Sequence, residues 1–152
     1  MWRSLDSLFK RIFPAPAQTP AGVAPIVVIS ADDRDRRVLM DMSAFPVYFA
    51  ESPQKASAAL EWLRAPVALF DRDWPGIEWR AEVQRLSSSR ERPCVILMSS
   101  VIDDYLWEEV VRCGGYDVVA KPLEPEHLAR VIGLALSYRK VAPQPPRTAR
   151  IS

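Results

Sequence analysis

Val67-Ala68-Leu69-Phe70-Asp71-Arg72-Asp73-Trp74-Pro75-Gly76 reads as an apolar run that stops on a carboxylate and breaks at a Pro-Gly turn. Four apolar residues without polar alternation suit a strand covered on both faces, because an exposed face would demand a polar residue at every second position. Similar runs flank it: Ile26-Val27-Val28-Ile29 and Val47-Tyr48-Phe49 before, Val95-Ile96-Leu97-Met98 and Val118-Val119 after. Helical patterns fill the gaps. A short helix is expected over about Arg34 to Ser43. Ser52-Pro53 supplies an N-cap and a first-turn proline, with Ala56, Ala59, Leu60 and Leu63 as the inner stripe. Ile77 to Ser87 and Ile102 to Cys113 follow, the latter closed by Gly114-Gly115, with Ile102, Leu106, Val110 and Cys113 expected against the sheet. The last helix spans Glu124 to about Lys140 and turns Leu128, Val131, Ile132, Ala135 and Leu136 to one side. Five strands alternating with five helices predict an α/β fold, a doubly wound parallel sheet with helices on both faces.

The chain has 152 residues, 49% hydrophobic and 26% charged, which suits one domain with a substantial core. Seven of its 14 prolines lie in two stretches, Pro14 to Pro25 and Pro143 to Pro146. Proline can continue neither a helix nor a strand ladder, so the domain is expected over 25–140. Residues 1–24 form an amphipathic segment and a Pro-rich linker, and 141–152 a Pro-containing tail. Lys and Arg total 20 against 19 Asp and Glu. That balance argues against direct nucleic-acid binding driven by a basic face. No apolar run approaches the roughly 20 residues of a membrane span, and two cysteines make no disulfide framework. A cytoplasmic protein is expected.

In doubly wound sheets ligands bind beyond the carboxyl ends of the strands. There the first strand runs into Ser30-Ala31-Asp32-Asp33, the third ends at Asp71, the fourth at Ser99, and the fifth reaches Lys121-Pro122. A strand-end carboxylate can act as a nucleophile towards phosphorus. Neighbouring carboxylates suit Mg²⁺, and an ammonium and a hydroxyl can hold phosphoryl oxygens. Lys121 is one of only four lysines beside sixteen arginines, so its place before Pro122 is less readily chance.

Asp71 with Pro75-Gly76 four places on, Ser99 after the fourth strand, and Lys121-Pro122 near Gly114 resemble the receiver domain of two-component response regulators, of which the chemotaxis-type regulator is the familiar single-domain member. The resemblance covers roughly Pro25 to Lys140. It implies a flavodoxin-like sheet of order 2-1-3-4-5, with Asp71 accepting phosphate from a histidine kinase or phosphotransfer protein. It further implies Ser99 and Lys121 on the phosphoryl group, a cis Lys121-Pro122 bond, and Mg²⁺ held by Asp71, by the acids of the Asp32-Asp33 pair and by the main chain of Asp73. The chain departs from the pattern. Aligning Asp35-Arg36-Arg37 with the start of the family's first helix puts Ala31 and Asp32 where two acids are usual, while a shift of one residue makes Asp32-Asp33 the pair. Val118 replaces the usual aromatic, and Ser100 the usual alanine. The side chain of Asp73 either replaces a missing acid or lies in solvent.

Other features carry blander alternatives. Asp32 and Asp33 also suit a helix cap and first turn. His127, the one histidine, reads as a surface residue, and Cys94 and Cys113 as small apolar side chains. Trp107 and Val111 lie off the inner stripe of the fourth helix and offer a contact for a downstream protein or a second copy. Trp2, Leu5, Phe9 and Ile12 recur at helical spacing among Arg3, Lys10 and Arg11; docking or disorder is favoured there over membrane contact.

Three functions remain in competition. The first is a stand-alone phosphoacceptor switch, not an enzyme, with output through protein contacts because Val141 to Ser152 leaves no room for an output domain. The second is a receiver that binds a partner without phosphorylation. The third is a haloacid-dehalogenase-like phosphatase, suggested by Asp71-Arg72-Asp73.

Overall fold

Along each central strand, successive residues divide between two cores, as the two-residue period of an extended chain requires. The computed structural model describes residues 24–141. Its strands are β1 (Ile26–Ile29), β2 (Val47–Phe49), β3 (Val67–Asp71), β4 (Cys94–Ser99) and β5 (Asp117–Ala120). The helices are α1 (Asp33–Asp41), α2 (Pro53–Leu63), α3 (Trp79–Ser87), α4 (Asp104–Arg112) and α5 (Pro125–Val141). All pairings are parallel, in the order β2-β1-β3-β4-β5, so the expected topology is the observed one.

Val27, Ile29, Ala68, Phe70, Val95 and Leu97 pack with Ala56 and Leu60 of α2, Trp79 and Val83 of α3, and Leu106 and Val110 of α4. Ile26, Val28, Val67, Leu69, Ile96 and Met98 pack the other way, with Leu39 of α1 and Leu128, Val131, Ile132 and Ala135 of α5. Two apolar faces explain why β1, β3 and β4 carry no polar alternation. The edge strand β2 is only partly buried throughout.

Local chemistry sets the helix ends. The Ser52 side chain accepts a hydrogen bond from the Lys55 amide at 3.2 Å, with Pro53 opening α2. Asp103 caps α4 by accepting from the amides of Tyr105 and Leu106. That cap corrects one expectation: α4 begins at Asp104, so Ile102 lies outside it and is exposed rather than turned to the sheet. Gly114 ends α4 at φ +92, where a Cβ would meet Ser87 Oγ at 2.6 Å; only glycine combines that φ with that contact. His127 is exposed, Cys94 buried and Cys113 partly buried. The amphipathic stretch at 1–13, the linker and the tail lie outside the described residues. Among the described residues, no helix is long and apolar enough to cross a membrane.

Candidate functional site

All five strands are parallel and send their carboxyl ends towards one rim, and the strand order decides which side chains meet there. Asp71 is the last residue of β3 and is 3% exposed. Continuing the β1–β3 register one step past Ile29↔Phe70 sets Ser30 opposite it. Lys121 follows β5, whose ladder with β4 is extended by the Lys121 amide donating to the Ser99 carbonyl at 2.9 Å. One strand separates Asp71 from Lys121, so the gap is about 10 Å, two strand spacings. The four-carbon lysine stem crosses it. Lys121 Nζ reaches Asp71 Oδ1 at 3.2 Å. The Lys121-Pro122 bond is cis.

The first turn of α1 closes the cluster. Asp32 is its N-cap, accepting from the Arg34 amide at 2.9 Å, and its other oxygen lies 3.4 Å from Lys121 Nζ. Asp35, three residues on, points back over the strand ends. It is 2% exposed, lies 3.0 Å from Lys121 Nζ, and accepts a hydrogen bond from Ser30 Oγ at 2.9 Å. Ser30 Oγ in turn accepts from the Asp32 amide at 3.1 Å and stands 3.4 Å from Asp71 Oδ2. Neither Ser30 nor Asp35 is among the site residues expected from the sequence. Asp35 gives no signal by its type, since it sits among charged residues; it turns inward because Asp32 caps the helix and sets the phase of the first turn.

Electrostatics follow from this wiring. Burial works against the Lys121 charge, but the Asp35 hydrogen bond and the charges of Asp71 and Asp35 outweigh it and hold the ammonium above its ordinary range. Burial pushes the Asp35 carboxyl up, against the pull of Lys121 and Ser30. The Arg34 amide draws the Asp32 carboxyl down.

The side chains of the remaining predicted residues have other partners or face solvent. Asp33 is exposed in the first turn of α1. The Asp73 carboxylate accepts from Ser100 Oγ at 3.2 Å, while its amide donates to Asp71 Oδ1 at 3.0 Å. Ser99 is fully buried and its hydroxyl donates to the Val101 carbonyl at 2.7 Å, with Arg72 Nη1 at 3.4 Å. Arg72 also lies over the Trp79 ring, 5.6 Å from its centroid. An open cleft of about 290 Å³, lined by Asp32, Asp35, Asp73, Ser100 and Lys121 among others, leads to the cluster.

Carboxylate oxygens are the right donor chemistry for Mg²⁺. Their arrangement is not right as it stands: among the described residues no three acidic, histidine or cysteine side chains converge in a way that could hold a metal ion. The Lys121 ammonium lies between Asp32, Asp35 and Asp71 instead.

No family model matches the chain. The regulatory protein AtoC of Escherichia coli is 24% identical over 119 residues, 76% of this chain; the chain spans about a quarter (26%) of that protein's length. Among solved structures, the chemotaxis protein CheY4 of Vibrio cholerae superposes with a TM-score of 0.65 at 18% identity, covering 75% of this chain and 99% of CheY4. A CheY-like response regulator receiver domain protein of Methanospirillum hungatei gives 0.65 at 19% identity, covering 78% of this chain and 98% of the other. Strand order, parallel register and these likenesses together give this chain the flavodoxin-like fold of response-regulator receiver domains.

Proposed function

We propose that the chain is a phosphoacceptor switch in which Asp71 takes a phosphoryl group from the phosphohistidine of a histidine kinase or phosphotransfer protein. The observation that carries this reading is the unequal treatment of the two Asp71 oxygens. Oδ1 accepts from the Asp73 amide at 3.0 Å and from Lys121 at 3.2 Å. Among the described residues Oδ2 meets Ser30 Oγ, at a long 3.4 Å, and that hydroxyl has a shorter acceptor in Asp35 at 2.9 Å. One oxygen is anchored, and the other keeps its lone pairs for attack on phosphorus. The Oδ2–P bond forms as the P–N bond to the donor histidine breaks. The electron pair leaves on the imidazole nitrogen, which takes a proton from water. Lys121 covers the carboxylate, and its flexible stem lets it swing onto the new phosphoryl oxygens, where an ammonium neutralises charge. Releasing Lys121 from Asp35 and Asp32 then shifts the rim between two arrangements.

Output runs through protein contacts, on the α4 face that leaves Tyr105, Trp107 and Val111 exposed. The reading as a switch rather than a phosphatase draws support from Asp73, whose carboxylate is engaged by Ser100 instead of standing beside Asp71 as an acid.

Incubation with acetyl phosphate tests the proposal. Wild type is expected to take up one acid- and base-labile phosphate, Asp71→Asn none, and p-nitrophenyl phosphate is not expected to turn over. No label on wild type, or equal label on both proteins, sinks it. A second reading, a receiver-like module that binds its partner unmodified, is favoured by the burial of Asp71 and by Ser30 and Ala31 at the end of β1. An unlabelled wild type would adopt that reading.

A further inference from the structure

We infer that the cation of this site is internal: Asp35 is the positioning residue that holds Lys121 between the carboxylates, and a divalent ion can enter only where Lys121 has left. The inference stands apart from phosphoryl transfer to Asp71, since it concerns the resting site. Three carboxylate oxygens surround Lys121 Nζ at 3.0, 3.2 and 3.4 Å. Two of the carboxylates and the lysine are nearly dry, with side-chain exposures of 3% for Asp35, 4% for Asp71 and 9% for Lys121. Carboxylates buried side by side repel one another, and an ammonium seated between them offsets that repulsion.

The frame around the ammonium does not depend on it. Asp35 is tied to Ser30, Asp32 to the Arg34 amide, and Asp71 to the Asp73 amide. Each carboxylate therefore keeps one protein donor when Lys121 is removed. Mg²⁺ binds its oxygens at about 2.1 Å, well inside the 3.0–3.4 Å at which these oxygens stand from Nζ, so the cradle fits an ammonium as it stands and would have to contract around a divalent ion taking its place. Asp35 contributes the shortest of the three contacts and comes from α1, whereas the residues directly after β1, Ser30 and Ala31, offer no carboxylate. A helix-borne acid thus does what the strand end does not.

The test measures the melting temperature of the full chain with and without Mg²⁺ at constant ionic strength, with no phosphodonor present. Wild type is expected to gain little. Lys121→Met is expected to gain clearly, with Mg²⁺ bound about tenfold tighter than by wild type, since the opposing charge is gone. Lys121→Met combined with Asp35→Asn is expected to lose that gain. A purely structural role for Asp35 would lower the melting temperature equally with and without the ion, so the Mg²⁺-dependent difference isolates its part in the site. Lys121→Gln, which still donates to the carboxylates, carries the same comparison if the Met variant does not fold. The inference is overturned if wild type gains as much as the Lys121 variants, if those variants do not respond to Mg²⁺, or if the double variant keeps the whole gain. Labelling by acetyl phosphate can fail without touching any of these results, and the reverse holds equally.

Discussion

At the ends of β1, β3 and β5 the rim of the sheet is dry, charged and wired, whereas in the loop that follows β4 it is open and apolar. On the first side Asp35, Asp71 and Lys121 are nearly inaccessible and each has several partners. On the second, the Ser99 hydroxyl is spent on the Val101 backbone, and Val101, Ile102 and Tyr105 are 60%, 52% and 72% exposed. The difference separates two tasks. Charge chemistry needs a low dielectric and fixed partners, which make every change of charge expensive. Readout needs a surface that can move at little cost, and exposed loops with few buried contacts are such surfaces. Arg72 joins the two, since it follows Asp71 in the chain and reaches Ser99 and Val101 with its guanidinium.

The sharpest way to break the contrast is Lys121→Met, which leaves Asp35 and Asp71 buried without a counter-charge. Removing one partner of a buried pair costs about 3–5 kcal/mol, within the stability of a typical domain, so the variant is expected to fold with a much lower urea midpoint. Part of the loss should return as the pH falls, because burial already raises the Asp35 carboxyl and a protonated Asp35 relieves the repulsion. A loss below about 1 kcal/mol, the scale of an exposed ion pair, would place the cluster in water after all.

The alkaline side of the same pair sharpens the comparison. The ammonium is held above the lysine value of 10.5 in the folded chain, so the unfolded chain gives up its proton first. The stabilisation from Lys121 is therefore complete below pH 10.5 and is lost as the pH rises through the higher folded value. The melting-temperature gap between wild type and Lys121→Met is expected to be flat from pH 8 to about 10 and to narrow above it. A gap that closes below pH 9 would mean that the ammonium is not retained by its partners.

How much of this was legible in the sequence differs between the same two regions. Runs such as Val67 to Phe70 announce a doubly covered strand because both faces must be apolar, and Asp71 and Lys121 were legible because each ends such a run. Asp35 was not, although it is the most buried acid of the cluster. It stands among Asp33, Arg34, Arg36 and Arg37, in what reads as a solvated stretch, and only the cap at Asp32 decides which member of the turn points inward. Ser30 reads as a lead-in residue because a hydroxyl carries no periodicity. At the other rim, Ile102 continues an apolar period across Asp103 and lengthens the expected helix. The Asp103 side chain, in binding two amides, ends that period physically.

The smallest expected effect lies on the open side. Tyr105 is in the first turn of α4, 72% exposed, while its amide rather than its side chain serves the Asp103 cap. Tyr105→Ser is therefore expected to change stability by no more than about 0.5 kcal/mol, the ordinary range for a surface substitution, and to leave acetyl phosphate labelling of Asp71 unaltered. Its consequence belongs to partner binding, because losing an exposed aromatic removes contact area without disturbing the fold. Urea denaturation and labelling of this one variant make the check. A stability loss above 1 kcal/mol, or slower labelling, would show that the open rim is coupled to the charged one at rest, with Arg72 as the connection to examine through Arg72→Ala.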